Sequence, residues 1–200
     1  MTKKVEEFKK HLTEGKVYRR AELAQWSNAV DRHLTLLVKN GFLEKLSAGL
    51  YYVPKKTVFG SVPPEEETLV RTFLKEDDFL LTSPNAYNSL GVGTTQLYNV
   101  RIVYNHKRHG EFELGGRKFV FQAKHRFPKK LTQEFLLVDL VNNLENLAED
   151  RTEVLKNVLA KAQTLDFAKM KQSVLNYGNA KAKALFAPFV TQNNNVAYGR

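Results

Sequence analysis

A chain of 200 residues with 42% hydrophobic content and a net charge of +10 is long and apolar enough to build its core without covalent staples. The absence of cysteine excludes disulfides and cysteine-ligated zinc, and no stretch approaches the ~20 apolar residues of a membrane-spanning helix. The opening MTKKVEEFKKHL lacks the apolar core of a secretory leader, so the expectation is a cytoplasmic protein.

The charge is uneven along the chain. Residues 1–60 carry 12 Lys+Arg against 6 Asp+Glu (+6), residues 61–125 carry 8 against 8, and residues 126–200 carry 11 against 7 (+4). An excess at the ends around a neutral middle points to a polyanionic partner for the first segment.

In chain order, 3–12 places Val5, Phe8 and Leu12 on one helical face with lysines opposite, and Glu14-Gly15 ends that helix. Residues 20–25 form a short helix candidate and Trp26-Ser27-Asn28 a turn. Val30, Leu34, Leu37 and Val38 then recur at the one-faced spacing of an amphipathic helix over 29–40. Asn28 and Asp31 are placed to cap its first turn, and Gly41 after Asn40 to stop it. Its outward face holds Arg32, Thr35, Leu36 and Lys39, the surface that a recognition helix lays in a major groove. A strand over 42–46, a three-residue loop Ser47-Ala48-Gly49 and a return strand over 50–53 make a hairpin. Helix, turn, helix and hairpin follow in the order of a winged helix-turn-helix, expected over 1–60. Lys45 lies on the hairpin, Lys55 and Lys56 follow it, and Arg19 and Arg20 precede the motif. The candidate DNA-contacting residues are therefore Arg19, Arg20, Asn28, Arg32, Thr35, Lys39, Lys45, Lys55 and Lys56.

Glycine, serine and two prolines in 57–64 mark a connection, which sets a domain boundary near residue 60 and a mixed α/β to helical domain over 61–190. Pro63-Pro64 and three glutamates suit the start of a helix over 65–75, the carboxylates answering its dipole rather than converging on a metal. A strand is expected over 79–82, then a helix from Ser83-Pro84 to Leu90 stopped by Gly91. A further strand is expected over 97–104, with Val100, Ile102 and Tyr104 on one side. Gly115-Gly116 is a two-residue hairpin turn that sets Leu114 opposite Arg117, Glu113 opposite Lys118 and Phe112 opposite Phe119. His106, His109 and His125 lie nearby without the carboxylates or cysteines of a metal site and read as polar surface. No metal and no cofactor is expected.

From Leu131 onward the pattern is helical in four runs. The first, LTQEFLLVDLVNNLENL, is apolar nearly all round and hence buried, which makes Asp139 the unusual residue: a buried carboxylate that needs a partner. The polar, asparagine-rich ending is expected as a flexible tail over 191–200.

Three stretches carry a family resemblance. VKNGFLEKLSAGLYYVP is similar to the helix end, strand, small loop and G-[hydrophobic]-Y strand of AbiEi-family antitoxins. TSPNAYNSLGVGTTQLYNVRIVYN resembles that family's serine-started helix, Leu-Gly stop and Thr-Thr-Gln segment leading into a strand. LNYGNAKAKALFAPFV is similar to its helical ending with a Tyr-Gly-Asn break. The resemblance implies an autorepressor and antitoxin of a type IV toxin-antitoxin system, binding double-stranded DNA at inverted repeats in its own promoter and countering a nucleotidyltransferase toxin encoded beside it. It carries the DNA contacts onto Arg32, Thr35, Lys39 and Lys45.

The fold class expected is α+β, an N-terminal winged helix-turn-helix followed by a mixed α/β domain with a helical C-terminal part. The leading reading is a DNA-binding protein without chemistry of its own. The alternatives are a stand-alone regulator whose larger domain senses a ligand or mediates assembly, and a nucleic-acid-processing enzyme that uses Glu111, Glu113, Lys118 and the histidines.

Overall fold

The computed structural model describes residues 3–191. The chain is mixed α/β with several sheets, and it divides into two compact units: Met1–Asp77 with Lys107–Val120, and Asp78–His106 with Phe121–Arg200. The first unit thus extends past residue 60 and recruits a later hairpin, because the side chains that complete it come from well beyond the first sixty residues.

In the first unit α1 (Lys3–Lys9) buries Val5 and Phe8. Strand β1 (Val17–Arg19), not anticipated from the sequence, leads straight into α2 (Arg20–Leu23) and a 3-10 turn, Ala24–Trp26. Helix α3 (Val30–Lys39) buries Val30, His33, Leu34 and Leu37 against Val5, Phe8, Tyr18 and Leu23, the one-faced packing that its spacing predicts. It ends at Asn40, with Gly41 at φ 68°. Strands β2 (Glu44–Ser47) and β3 (Leu50–Tyr52) follow, and the three-stranded sheet has the order β1-β3-β2. The β2–β3 loop is two residues rather than three: Ser47 pairs with Leu50, and a bulge between Lys45 and Ser47 absorbs the extra residue.

Residues expected as a plain connection form a second hairpin, β4 (Lys55–Thr57) and β5 (Gly60–Val62), antiparallel and exposed throughout. The Tyr52 hydroxyl anchors it by donating to the Val62 carbonyl (2.7 Å). Helix α4 (Glu66–Leu74) comes next, and β8 (Gly110–Leu114) and the start of β9 (Arg117–Ala123) close the unit around Gly115-Gly116, both at positive φ as such a turn demands. Arg117 serves α4 directly: it pairs with Glu66 (3.1 Å) and donates to the Pro64 carbonyl (2.8 Å).

The second unit pairs β6 (Phe79–Thr82) antiparallel with β7 (Arg101–Asn105), beside the closing residues of β9. Between β6 and β7, Pro84–Leu90 is a 3-10 helix with Ser83 at its start and Gly91 at its stop. The strand expected over 97–104 begins only at Arg101 and buries Ile102, Val103, Tyr104 and Asn105 in succession. Residues 91–100 are instead irregular, because side chains from other elements take the backbone bonds that a neighbouring strand would have offered.

Helices α5 (Gln133–Asn143), α6 (Arg151–Ala162), α7 (Phe167–Tyr177), α8 (Ala180–Leu185) and α9 (Ala187–Thr191) complete the unit. Thr132, Asp150, Asp166 and Asn179 cap four of them through side-chain oxygens. Helix α5 is buried from Phe135 to Val141 and is the axis of the core. At the α7–α8 break a Cβ on Gly178 would lie 2.6 Å from the Val174 carbonyl oxygen, so the break admits glycine alone. The expected tail 191–200 lies outside the described residues, except for Thr191, which ends α9.

Candidate nucleic-acid interface

The outer face of α3 follows from its inner one. Because Val30, Leu34 and Leu37 are committed to the core, Arg32, Thr35, Leu36 and Lys39 are left in water. At the N-terminal half of that face lies an open cleft of about 980 Å³ lined by Lys3, Lys4, Val5, Ala29, Arg32, His33 and Leu36. Three of these side chains are cationic and none is acidic, so the lining of the cleft carries a positive charge. Lys3 and Lys4 were not singled out by sequence. Only the packing of Val5 and Phe8 beside α3 brings α1's lysines next to Arg32.

The predicted contacts divide into two groups. Asn28, Arg32, Lys39, Lys45, Lys55 and Lys56 are exposed and enter no ion pair among the described residues. Thr35 is exposed too, but its hydroxyl already donates to the Asp31 carbonyl (2.8 Å), leaving only its lone pairs and methyl for a partner.

Two arginines have structural employment instead. The Arg19 guanidinium donates from Nε to the Thr72 carbonyl (2.5 Å) and from Nη2 to the Phe73 carbonyl (2.6 Å), satisfying the open end of α4. Burial lowers its pKa, with Glu22 opposing. Arg20 forms a two-pronged bond with Asp31 (2.7 and 2.6 Å), which raises the arginine's pKa and lowers that of the carboxyl. That pair also corrects the expected cap of α3. Ala29 occupies the cap position without a side-chain bond, and Ser27 rather than Asn28 organises the turn, its Oγ accepting from Ala29 N (3.1 Å) and meeting His33 Nδ1 (2.9 Å).

The hairpin β2–β3 is held close to α2, since Arg20 N donates to the Gly49 carbonyl (2.9 Å). Lys45 stands on its outer strand opposite Tyr51. Lys55 and Lys56 occupy the second hairpin, whose tip carries Val58 and Phe59 almost fully in solvent.

The second unit has one concentrated polar site. Asp139 is 1% exposed on α5. Its carboxylate accepts from the Tyr87 hydroxyl (2.8 Å) and the Tyr104 hydroxyl (2.8 Å), and Lys124 Nζ lies 3.7 Å away, 4.0 Å from the centre of the Tyr104 ring. Asn143 Nδ2 donates to the Asp139 carbonyl (2.8 Å) and to both tyrosine hydroxyls (3.2 and 3.3 Å). Burial pushes the Asp139 pKa up while Lys124 and the three hydrogen-bond donors pull it back. Burial and the neighbouring carboxylate push both tyrosines up, so they act as donors and not as bases. Burial lowers the Lys124 pKa against the pull of Asp139. The partner that the sequence demanded for Asp139 is thus a set of four side chains, and the set is internally satisfied.

His106 bonds through Nδ1 to the Lys124 carbonyl (2.8 Å), lies 3.4 Å from Asp78 and stacks on Phe127. Among the described residues no group of three or more His, Cys, Asp or Glu side chains is placed to hold a metal ion. No helix among them is long and apolar enough to cross a membrane.

The model of a family of unknown function, DUF6088, matches residues 4–180. The chain belongs to the DUF6088 family. The match runs from α1 to the start of α8, so DUF6088 takes in both the α3 face and the Asp139 site. Among solved structures, the RV2827C protein from Mycobacterium tuberculosis is similar to this DUF6088 chain with a TM-score of 0.54 and 13% sequence identity, over 89% of this chain and 78% of that one. At that identity the likeness is one of fold. No protein with a curated description matches the sequence.

Proposed function

We propose that this protein is a DNA-binding transcriptional autorepressor, that its first unit is a winged helix-turn-helix with α3 as recognition helix and β2–β3 as wing, and that it counters a nucleotidyltransferase toxin encoded in the same operon. The observation that carries the DNA reading is the outer face of α3: Arg32 and Lys39 stand in water without an ion pair among the described residues, and Arg32 shares an acid-free cleft with Lys3 and Lys4. Lysines and arginine around the cleft hold phosphates and fix register, while Arg32, Thr35 and Lys39 meet base edges. Lys45 follows the backbone from the wing. The antitoxin half of the proposal is supported by the resemblance of the 82–105 stretch and the Tyr-Gly-Asn break to AbiEi-family antitoxins. In this reading the protein works in the cytoplasm by binding, without a cofactor and without catalysis.

The test is titration of the chain's own promoter DNA at several salt concentrations. Affinity falls as salt rises, with the log-log slope steepened by about 0.9 for each phosphate neutralised. The double variant Arg32→Ala, Lys39→Ala weakens binding by about 1–3 kcal/mol for each side chain that reads a base. Promoter binding that is unchanged in this variant removes α3 as the reader. For the antitoxin role, co-expression with the adjacent reading frame from an unrelated promoter restores growth. Failure to do so with well-folded protein overturns that half alone.

A further inference from the structure

Residues 91–100 contain no charged side chain, in a chain in which charged residues make up 26%. Their backbone is nevertheless fixed. Asn85 clasps Tyr98 by both main-chain groups (2.7 and 3.1 Å), and Asn88 Nδ2 donates to the Gln96 carbonyl (3.2 Å). One Glu149 oxygen accepts from Thr95 N (3.3 Å) and Gln96 N (3.2 Å), and the Tyr98 hydroxyl accepts from Ala148 N (2.8 Å). The loop held this way displays Leu97 at 84% exposure. A leucine in water on a backbone already fixed is a knob whose ordering cost is met before any partner arrives. A run of ten residues without a cation suits a protein–protein contact and not a nucleic-acid face, which needs cations.

The same unit offers the matching hole. A depression of about 360 Å³ is floored by Val141, Leu144, Leu155 and Leu185, with Ala184 at its edge and the Glu145–Lys181 ion pair beside it. Loop and depression border one turn: the loop is bonded to Ala148 and Glu149, and the depression is lined by Leu144 and Glu145 before that turn and Arg151 after it.

We propose that Leu97 of one copy seats in this depression of a second copy, and reciprocally, giving a two-fold dimer through the second unit. An isologous contact needs one patch that carries both members of the pair, and knob and hole beside the same turn supply them within one patch of the second unit. A second copy supplies both at the spacing of the first, so one association closes two contacts. The edge of the depression carries both signs of charge, Glu145 with Lys181 and Arg151, so two edges meet without a clash of one sign. The net charge of +10 on each copy opposes association at low ionic strength, so the dimer tightens as salt is added, opposite to the salt response of DNA binding.

The experiment is sedimentation equilibrium of the full chain across the micromolar range, with Leu97→Asp and Ala184→Glu, both at exposed positions that leave the core intact. The wild type forms a concentration-dependent dimer. Each variant alone associates roughly 100-fold more weakly, two leucine contacts being lost per dimer. An equal mixture of the two variants recovers part of the dimer, since one Leu97 and one intact depression remain in the mixed pair. A wild type that stays monomeric overturns the proposal and leaves the depression to a small apolar ligand or a different protein. Variants that dimerise like the wild type, or a mixture that recovers nothing, overturn it as well.

Discussion

On α3, Arg32 and Lys39 stand in water with no ion pair among the described residues, whereas on α5 the buried charged residue, Asp139, is surrounded by two tyrosines, a lysine and an asparagine. Both helices follow the same rule, apolar faces inward, yet they handle charge oppositely. A side chain left solvated keeps its full capacity to bind something else. One taken inside must have its hydrogen bonds answered by the fold, and once answered it has little left to offer a ligand. The same contrast separates Arg19, bonded to the end of α4, from Arg32, thirteen positions on and without an ion pair among the described residues.

The largest effect expected from breaking this contrast is at Asp139. Replacing it by Ala strands the Tyr87 and Tyr104 hydroxyls and leaves the Lys124 charge uncompensated, costing about 3 kcal/mol or more in a denaturation experiment on the full chain. A melting temperature close to wild type would show that the cluster does not hold the core. The same carboxyl gives a pH signature. Its folded pKa is raised, so between the ordinary carboxylate pKa and the raised value the folded state binds more protons than the unfolded one, and stability falls as pH increases through that window. Asp139→Asn abolishes this part of the pH dependence, and an unchanged profile in that variant would locate it elsewhere.

Next in size is Arg19→Ala, which opens two carbonyls at the end of α4 and lowers stability by about 1–2 kcal/mol while leaving the salt slope of promoter binding unchanged. Smallest is the effect of Arg32→Ala on stability, within about 0.5 kcal/mol, since the side chain is exposed and enters no ion pair among the described residues. If Arg32→Ala melts lower than Arg19→Ala, the division between structural and available arginines is wrong.

Much of this was legible in the sequence because it is local. The spacing of Val30, Leu34 and Leu37, the all-round apolar run at α5 and the Gly115-Gly116 turn each encode their outcome within a dozen residues. What escaped depends on distant partners. Strand β1 is three residues long and exists because Leu50, Tyr51 and Tyr52 come back to pair with it. The β4–β5 hairpin turns through Val58-Phe59, which carry none of the usual turn chemistry. Arg19 and Arg20 look like any other surface cations until Thr72, Phe73 and Asp31 are placed beside them. Asn28 does not cap α3, whose cap position is Ala29, and the turn before the helix is held by Ser27, one residue away, a difference that residue preference cannot resolve because both types favour such turns.

The discontinuous make-up of the first unit has a consequence for biosynthesis. A ribosome that has delivered only residues 1–60 has released the charged face of α3 but neither α4, whose carbonyl end takes Arg19, nor the Gly115 turn, whose amide bonds the Leu46 carbonyl at 2.9 Å. The first unit therefore cannot close on its own leading stretch and waits for residues made after part of the second. Its last pieces, Lys107–Val120, emerge only after the chain has passed through β6 and β7. Nascent chains halted before residue 120 expose the half-built unit to chaperones and proteases, whereas those released beyond it can close it.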